Sequence, residues 1–307
     1  MRLLFLFLDG VGLGANDPNQ NPFVRAKMPN LINLLDGQRL HALEGKLPFH
    51  GARASLVPID ACLGIPGLPQ SASGQATLLT GKNIPQIIGE HYGPKPNAAI
   101  RAILENDNLF HRLRQNNQRM ALINAFPDGY FAGIQSGKRL PGAIAMAMRA
   151  ANIPLKTEAD LLAGNALSAD FTASGWHKHL DYTHIPILTP TEAGRRLAIL
   201  AKGYELTFFE YWLSDVLGHR RDMAAACERL EEFDAMLGGL LKTWDDDQGL
   251  ILITSDHGNL EDLSTRRHTS NPVPGLVIGA AGLRHPFSEK LHNLADITPA
   301  IQHFFAS

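Results

Sequence analysis

Leu3-Leu4-Phe5-Leu6-Phe7-Leu8 runs without a polar residue directly into Asp9-Gly10-Val11-Gly12. A continuous apolar run ended by a turn signal is the pattern of a strand buried on both faces, as in the middle of a parallel sheet. Asp9 then stands at the carboxyl end of that strand. The run is too short for the apolar region of a signal peptide or for a membrane span.

Working outward from this strand, similar runs occur at 119–124, 205–211, 249–254 and 273–278. Helical periodicity lies between them, at 108–116, at 190–202 after Pro190, at 221–243 and at 296–305. Such alternation predicts an α/β fold with a doubly wound, mostly parallel sheet. The stretch 127–187 breaks the alternation with helix-like segments at 141–151 and 158–163 and the polar Trp176-His177-Lys178-His179. It reads as a small inserted cap, leaving 1–126 and 188–307 as the core.

At 307 residues the chain exceeds one ordinary core, which fits a large domain carrying an insertion. Hydrophobic residues make up 45% and charged residues 19%, and the formal charge is −2. That balance gives no field suited to nucleic acid or an anionic membrane, so a small molecule is the expected partner. Cys62 and Cys227 match no metal-ligand spacing and fit a reducing compartment, so a cytoplasmic location is expected. Oligomeric state has no signature in the chain.

Ligands of doubly wound sheets sit beyond the carboxyl ends of the strands, and here the chemistry follows the strands. Asp9 follows the first, Asp215 follows 205–211, and Asp256-His257 follow 249–254. Ser255-Asp256-His257-Gly258-Asn259, with Arg267-His268-Thr269 close behind, brings together the carboxylate and imidazole donors that suit zinc, manganese or a similar ion. Asp215 and His219 are four residues apart and converge on one ion from a helical turn or a tight loop. Each element alone has a plainer reading, as a turn, a surface pair or a solvated histidine. Pro69-Gln70-Ser71-Ala72-Ser73-Gly74-Gln75 reads as a loop entering a helix, where Ser71 or Ser73 serves either as an N-cap or as a nucleophile stabilised by the helix N-terminus. Glu90-His91 and His177-Lys178-His179 are cap-side or substrate-side groups in one reading, solvated side chains in the plainer one.

Taken in order, Asp9, Ser71, Asp215 with His219, Asp256-His257 and His268 resemble the alkaline phosphatase superfamily, and within it cofactor-independent phosphoglycerate mutase and phosphopentomutase. Asp256-His257-Gly258-Asn259-Leu260-Glu261 and His268-Thr269-Ser270-Asn271-Pro272 are similar to the carboxy-terminal motifs of those mutases. The likeness covers roughly 1–90 and 190–307. It implies an alkaline phosphatase-like core and two divalent ions, manganese or zinc with magnesium as a third candidate. It further implies Asp9, Ser71, Asp256 and His257 around one ion and Asp215, His219 and His268 around the other. Ser71 is implied as the nucleophile over Ser73, because it lies three residues before Gly74. Gln75 stands where those enzymes usually carry histidine, and the cap lacks their cluster of arginines. The expected function is phosphoryl transfer on a small phosphorylated metabolite through a phosphoserine, as a phosphatase or a phosphomutase. A catalytically silent metal-binding module and a phosphodiesterase are the alternatives.

Overall fold

The computed structural model describes residues 1–42 and 46–306. Among them, seven strands form one sheet: β1 (Arg2–Leu8), β2 (Phe49–His50), β3 (Ala54–Ile59), β4 (Met120–Leu122), β5 (Leu206–Tyr211), β6 (Gly249–Thr254) and β7 (Val273–Ile278). Their order is β2-β3-β7-β6-β1-β5-β4. β4, β5, β1 and β6 form a parallel block, and the pairs β6–β7, β7–β3 and β3–β2 are antiparallel. The expected α/β architecture with a mostly parallel sheet is therefore present.

β1 is central because its side chains are apolar on both faces, so either face can be covered. Leu3, Phe5 and Phe7 join one core with Leu206, Phe208, Leu250 and Leu252. Leu4, Leu6 and Leu8 join the other with Phe209, Tyr211, Ile251 and Ile253. Each such fully buried side chain contributes about 2 kcal/mol of hydrophobic free energy. The first face is covered by the helices Ser71–Thr80, Ala98–Asn106, Leu109–Gln115, Ala143–Ala150 and Ile297–Ala306, and the second by Pro190–Ala201 and Met223–Thr243. Pro190–Ala201 starts where the sequence says it should: Thr189 and Glu192 form a reciprocal capping box, and Pro190 takes the first turn.

Two strands escaped the sequence reading, β2 and β3. Pro58 inside β3 argues against a strand, yet β3 pairs with β7 in a register that sets Pro58 opposite Pro274.

The stretch 127–187 is tied to the sheet unevenly. Ile144, Met146 and Met148 lie in the first core, and Leu167 and Phe171 in the second. A small third cluster gathers Ala125, Leu161, Ala166, Ala173, Trp176 and Ile185. Among the described residues no helix is long and apolar enough to cross a membrane.

Candidate metal centre

Four loops meet beyond the carboxyl ends of β1, β5 and β6. The first follows β1. Asp9 N–H still bonds the Tyr211 carbonyl at 3.1 Å, and Gly10 then turns with φ of +68°. A side chain at Gly10 would meet Asp215 Oδ1 at 2.7 Å, so only glycine permits both the left-handed turn and the close approach. The second loop follows β5 and enters the helix Leu213–Arg220, which places Asp215 and His219 one turn apart on one face. Ser214 Oγ donates to the Asp9 carbonyl at 2.6 Å and locks these two loops together. The third follows β6 and carries Asp256 and His257, both fully buried. The fourth brings His268 in before β7.

The predicted side chains converge. Single donor atoms of Asp215, His219 and His268 lie within 4.8 Å of one another, and so do those of Asp9, Asp215 and His257. Asp215 is common to both groups. Asp256 adjoins the second, with Oδ2 3.7 Å from His257 Nε2. Ser71 is the first residue of Ser71–Thr80, and its Oγ lies 3.0 Å from His257 Nε2. Gln70, not a serine, occupies the N-cap position and makes no side-chain cap. Ser73 is committed elsewhere: its Oγ donates to the Gln70 carbonyl at 3.2 Å and accepts the Tyr92 N–H at 2.9 Å.

The imidazoles share one orientation. His219 Nδ1 faces the Arg266 carbonyl at 2.8 Å, His268 Nδ1 the Pro69 carbonyl at 2.7 Å, and His257 Nδ1 the Gly258 carbonyl at 3.3 Å. Carbonyl oxygens only accept, so each Nδ1 carries hydrogen, and it is Nε2 of each ring that faces the centre, with a lone pair to offer a cation when the ring is neutral. His219 Nε2 and His268 Nε2 lie 3.4 Å apart, and they sit 3.3 Å and 3.7 Å from Asp215 oxygens. Lone pairs so close repel unless a cation stands among them. Buried Asp9 Oδ1 also has no hydrogen-bond partner. The donor set thus fits divalent cations, with backbone carbonyls orienting the ligands from behind.

Burial dominates the electrostatics. It raises the Asp9 carboxyl well above its usual range, with the Asp256, Asp215 and Glu210 carboxylates adding to the shift. Asp256 is pushed up to about 6 by burial, against an opposing hydrogen bond from Gln75. His257 is lowered to about 3, chiefly by burial and then by His268, whose ring stacks on it at 3.7 Å and 12°.

Three side chains here were missed as site residues. Glu261, 1% exposed, accepts from Gly12 N–H at 2.9 Å, Asn259 N–H at 2.8 Å, Asn271 Nδ2 at 3.0 Å and the Thr269 hydroxyl. Gln75 reaches Asp256 Oδ2 at 3.0 Å. Glu210, the last-but-one residue of β5, is raised to about 7, mainly by burial and with Lys95 opposing. A glutamate following Asn259 in the quoted motif was the one available signal, for Glu261. Of the polar cap-side candidates, His91 Nε2 is held by the Cys62 and Ile65 carbonyls, and His177 Nε2 by the Ile185 carbonyl.

Residues 192–307 match the model of the family described as "Metalloenzyme superfamily". The 2,3-bisphosphoglycerate-independent phosphoglycerate mutase of Roseobacter denitrificans is 35% identical over 116 residues, covering 35% of this chain and 22% of that protein. This chain therefore aligns with about a fifth of the length of such relatives. The PH0037 protein from Pyrococcus horikoshii shares the fold, with a TM-score of 0.59 and 17% identity over 99% of this chain and 96% of that one. The TAB5 alkaline phosphatase mutant His 135 Glu superposes at a TM-score of 0.48 and 12% identity over 99% of this chain and 97% of that one. Across residues 192–307, which hold Asp215, His219, Asp256, His257 and His268, the chain is similar to the metalloenzyme superfamily.

Proposed function

We propose that this chain is a two-metal phosphoryl-transfer enzyme that acts on a small phosphorylated metabolite through a phosphoserine at Ser71. The carrying observation is the position of Ser71 Oγ, at the first turn of a helix and 3.0 Å from Nε2 of His257, which belongs to one of the two donor groups joined by Asp215. Asp9, Ser71, Asp256 and His257 would hold one cation and Asp215, His219 and His268 the other, with Asp215 near enough to serve both. Manganese or zinc suits these oxygen and imidazole donors, with magnesium a weaker fit to the histidines. Bound cations supply Lewis-acid charge and lower the pKa of the Ser71 hydroxyl.

The chain's own groups do the rest. First-turn N–H groups lack partners within their helix, and apart from Ser73, whose N–H bonds the Tyr92 carbonyl at 2.9 Å, they favour a developing alkoxide and the phosphate it attacks. Ser71 Oγ attacks phosphorus in line, the ester oxygen leaves, and the phosphoryl group rests on Ser71. The carbonyls behind each Nδ1 keep the rings from turning. Water entering the site releases phosphate and makes a phosphatase, whereas retention of the alcohol allows its return and makes a mutase. Within 127–187, we read the part around Trp176 as the cap and the helix Ala143–Ala150 as its anchor in the core. The free Cys62 and Cys227 suit a reducing, cytoplasmic setting.

A Ser71→Ala protein tests the reading. Turnover of an aryl phosphate with added manganese or zinc should fall by about a thousandfold or more, and acid-quenched wild type should carry phosphate on the peptide containing Ser71. Unchanged turnover would remove Ser71 from the role of nucleophile. Incubation with phosphorylated sugars and sugar acids, scored for free phosphate and for positional isomers, separates hydrolase from mutase.

A further inference from the structure

The helix that begins at Ser71 carries a second side chain on the same face, one turn deeper. Gln75 is 6% exposed, and its Nε2 lies 3.0 Å from Asp256 Oδ2 and 3.5 Å from Asp9 Oδ2. Carboxylates only accept, so the nitrogen end of the amide faces them, with one hydrogen available to each. Glycine makes this approach possible: a side chain at Gly74 would sit 2.9 Å from the Asp256 carbonyl, so the helix is pressed directly onto that loop.

We infer that Gln75 is a positioning residue whose amide sets the spacing of the Asp9 and Asp256 carboxylates and leaves Asp9 Oδ1 turned toward a cation that the two would share. The inference rests on the two-metal reading above. Asp9 comes from the end of β1 and Asp256 from the end of β6, and nothing covalent fixes their separation. Two buried carboxylates repel, and a neutral donor between them relieves that repulsion without competing as a charge. A lysine would neutralise them in place of the metal. A histidine has one N–H to give while its other nitrogen is neutral, so it satisfies one carboxylate and turns a lone pair toward the second. The amide serves both, and its donation does not change with pH. Its contact with Asp9 falls on Oδ2, while Oδ1 of the same carboxylate is left buried and unpartnered, which is the oxygen a cation would take.

The test is calorimetric titration of manganese into stripped wild type, Gln75→Met and Gln75→His, with thermal midpoints of the stripped proteins measured alongside. Methionine keeps the length and loses both donors, and it should weaken manganese binding by about tenfold, the lower end of the effect of removing a group that orients a metal ligand. Gln75→His should fall between Met and wild type. A Met variant that binds manganese as tightly as wild type overturns the role of Gln75. A lowered thermal midpoint with unchanged affinity does the same, since it marks a merely structural residue. If Gln75→Met does not fold, Gln75→His decides, with wild-type affinity as the overturning result. Wild type that binds no divalent ion sinks the two-metal reading itself, and the two failures are thereby told apart.

Discussion

The inner and outer halves of the centre use the same ligand types in different surroundings. Asp9, Asp256 and His257 are enclosed, and the His257 side chain has no exposed surface. Across the shared Asp215, the His219 side chain is 45% exposed. Enclosure penalises every charge in the inner half, which is why two carboxyls there rise and an imidazole falls. Water remains available at His219, and the outer geometry rests on the hydrogen bonds that His219 Nδ1 and His268 Nδ1 donate to the Arg266 and Pro69 carbonyls. The inner half is therefore the preorganised one, and a cation in the outer half would load and release at less cost.

The largest effect that separates the halves should come from Asp256→Asn. It should cut metal-dependent turnover by about a thousandfold, the upper range for removing one electrostatic partner at a reacting centre. Retained turnover would break the assignment of Asp256 to the cation beside Ser71. Glu261→Gln comes next, because it acts on both halves through the loops that Glu261 ties together. Replacing an acceptor by an amide turns donors toward donors, and stability should drop by about 3 kcal/mol, read as a thermal midpoint lower by roughly 5 °C.

A third test uses pH on the stripped protein. The carboxyl of Asp256 titrates near 6 when folded against an ordinary 3.8. Its contribution to stability is fully present below 3.8 and is lost by about 6, because the folded form holds the proton more tightly. His257 works in the opposite sense: with a folded value of about 3 against 6.5, it costs stability as pH falls through that interval. Asp256→Asn removes this acid and, with it, one cause of the upward shift of Asp9. The thermal midpoint of the variant should gain on wild type between pH 4 and 6 and hold its lead above, and a difference that does not vary with pH would contradict the enclosed charge. The smallest effect belongs to His219→Ala, which should weaken manganese binding by about tenfold. A loss as large as that of Asp256→Asn would erase the contrast between the halves.

Much of this was legible before any coordinates. Five of the strands came from strand-like runs, most of them apolar because a strand covered on both faces has little room for polar residues, and Asp9, Asp215 and Asp256 followed from where those strands end. β2 and β3 were not: β2 is two residues long, and the six residues of β3 include Ser55 and Pro58, so neither makes an unbroken apolar run. Ser71 was separable from Ser73 by resemblance alone. The structure adds a physical reason, since Ser73 is already bonded to Gln70 and Tyr92. Gln75 and Glu261 could not be assigned roles from sequence. A buried amide or acid has no meaning until the loops it joins are brought together, and those loops lie far apart along the chain.

Glu261 shows what such joining entails. Its donors come from Gly12, Asn259, Thr269 and Asn271, so four points on three loops answer to one side chain. Gly12 and Asn259 give backbone N–H groups that any residue but proline keeps, whereas Thr269 and Asn271 give side chains, so a change at Glu261 must be balanced at Thr269 and Asn271. A homologue that keeps every candidate metal ligand but has changed only Glu261 should then show a loosened centre.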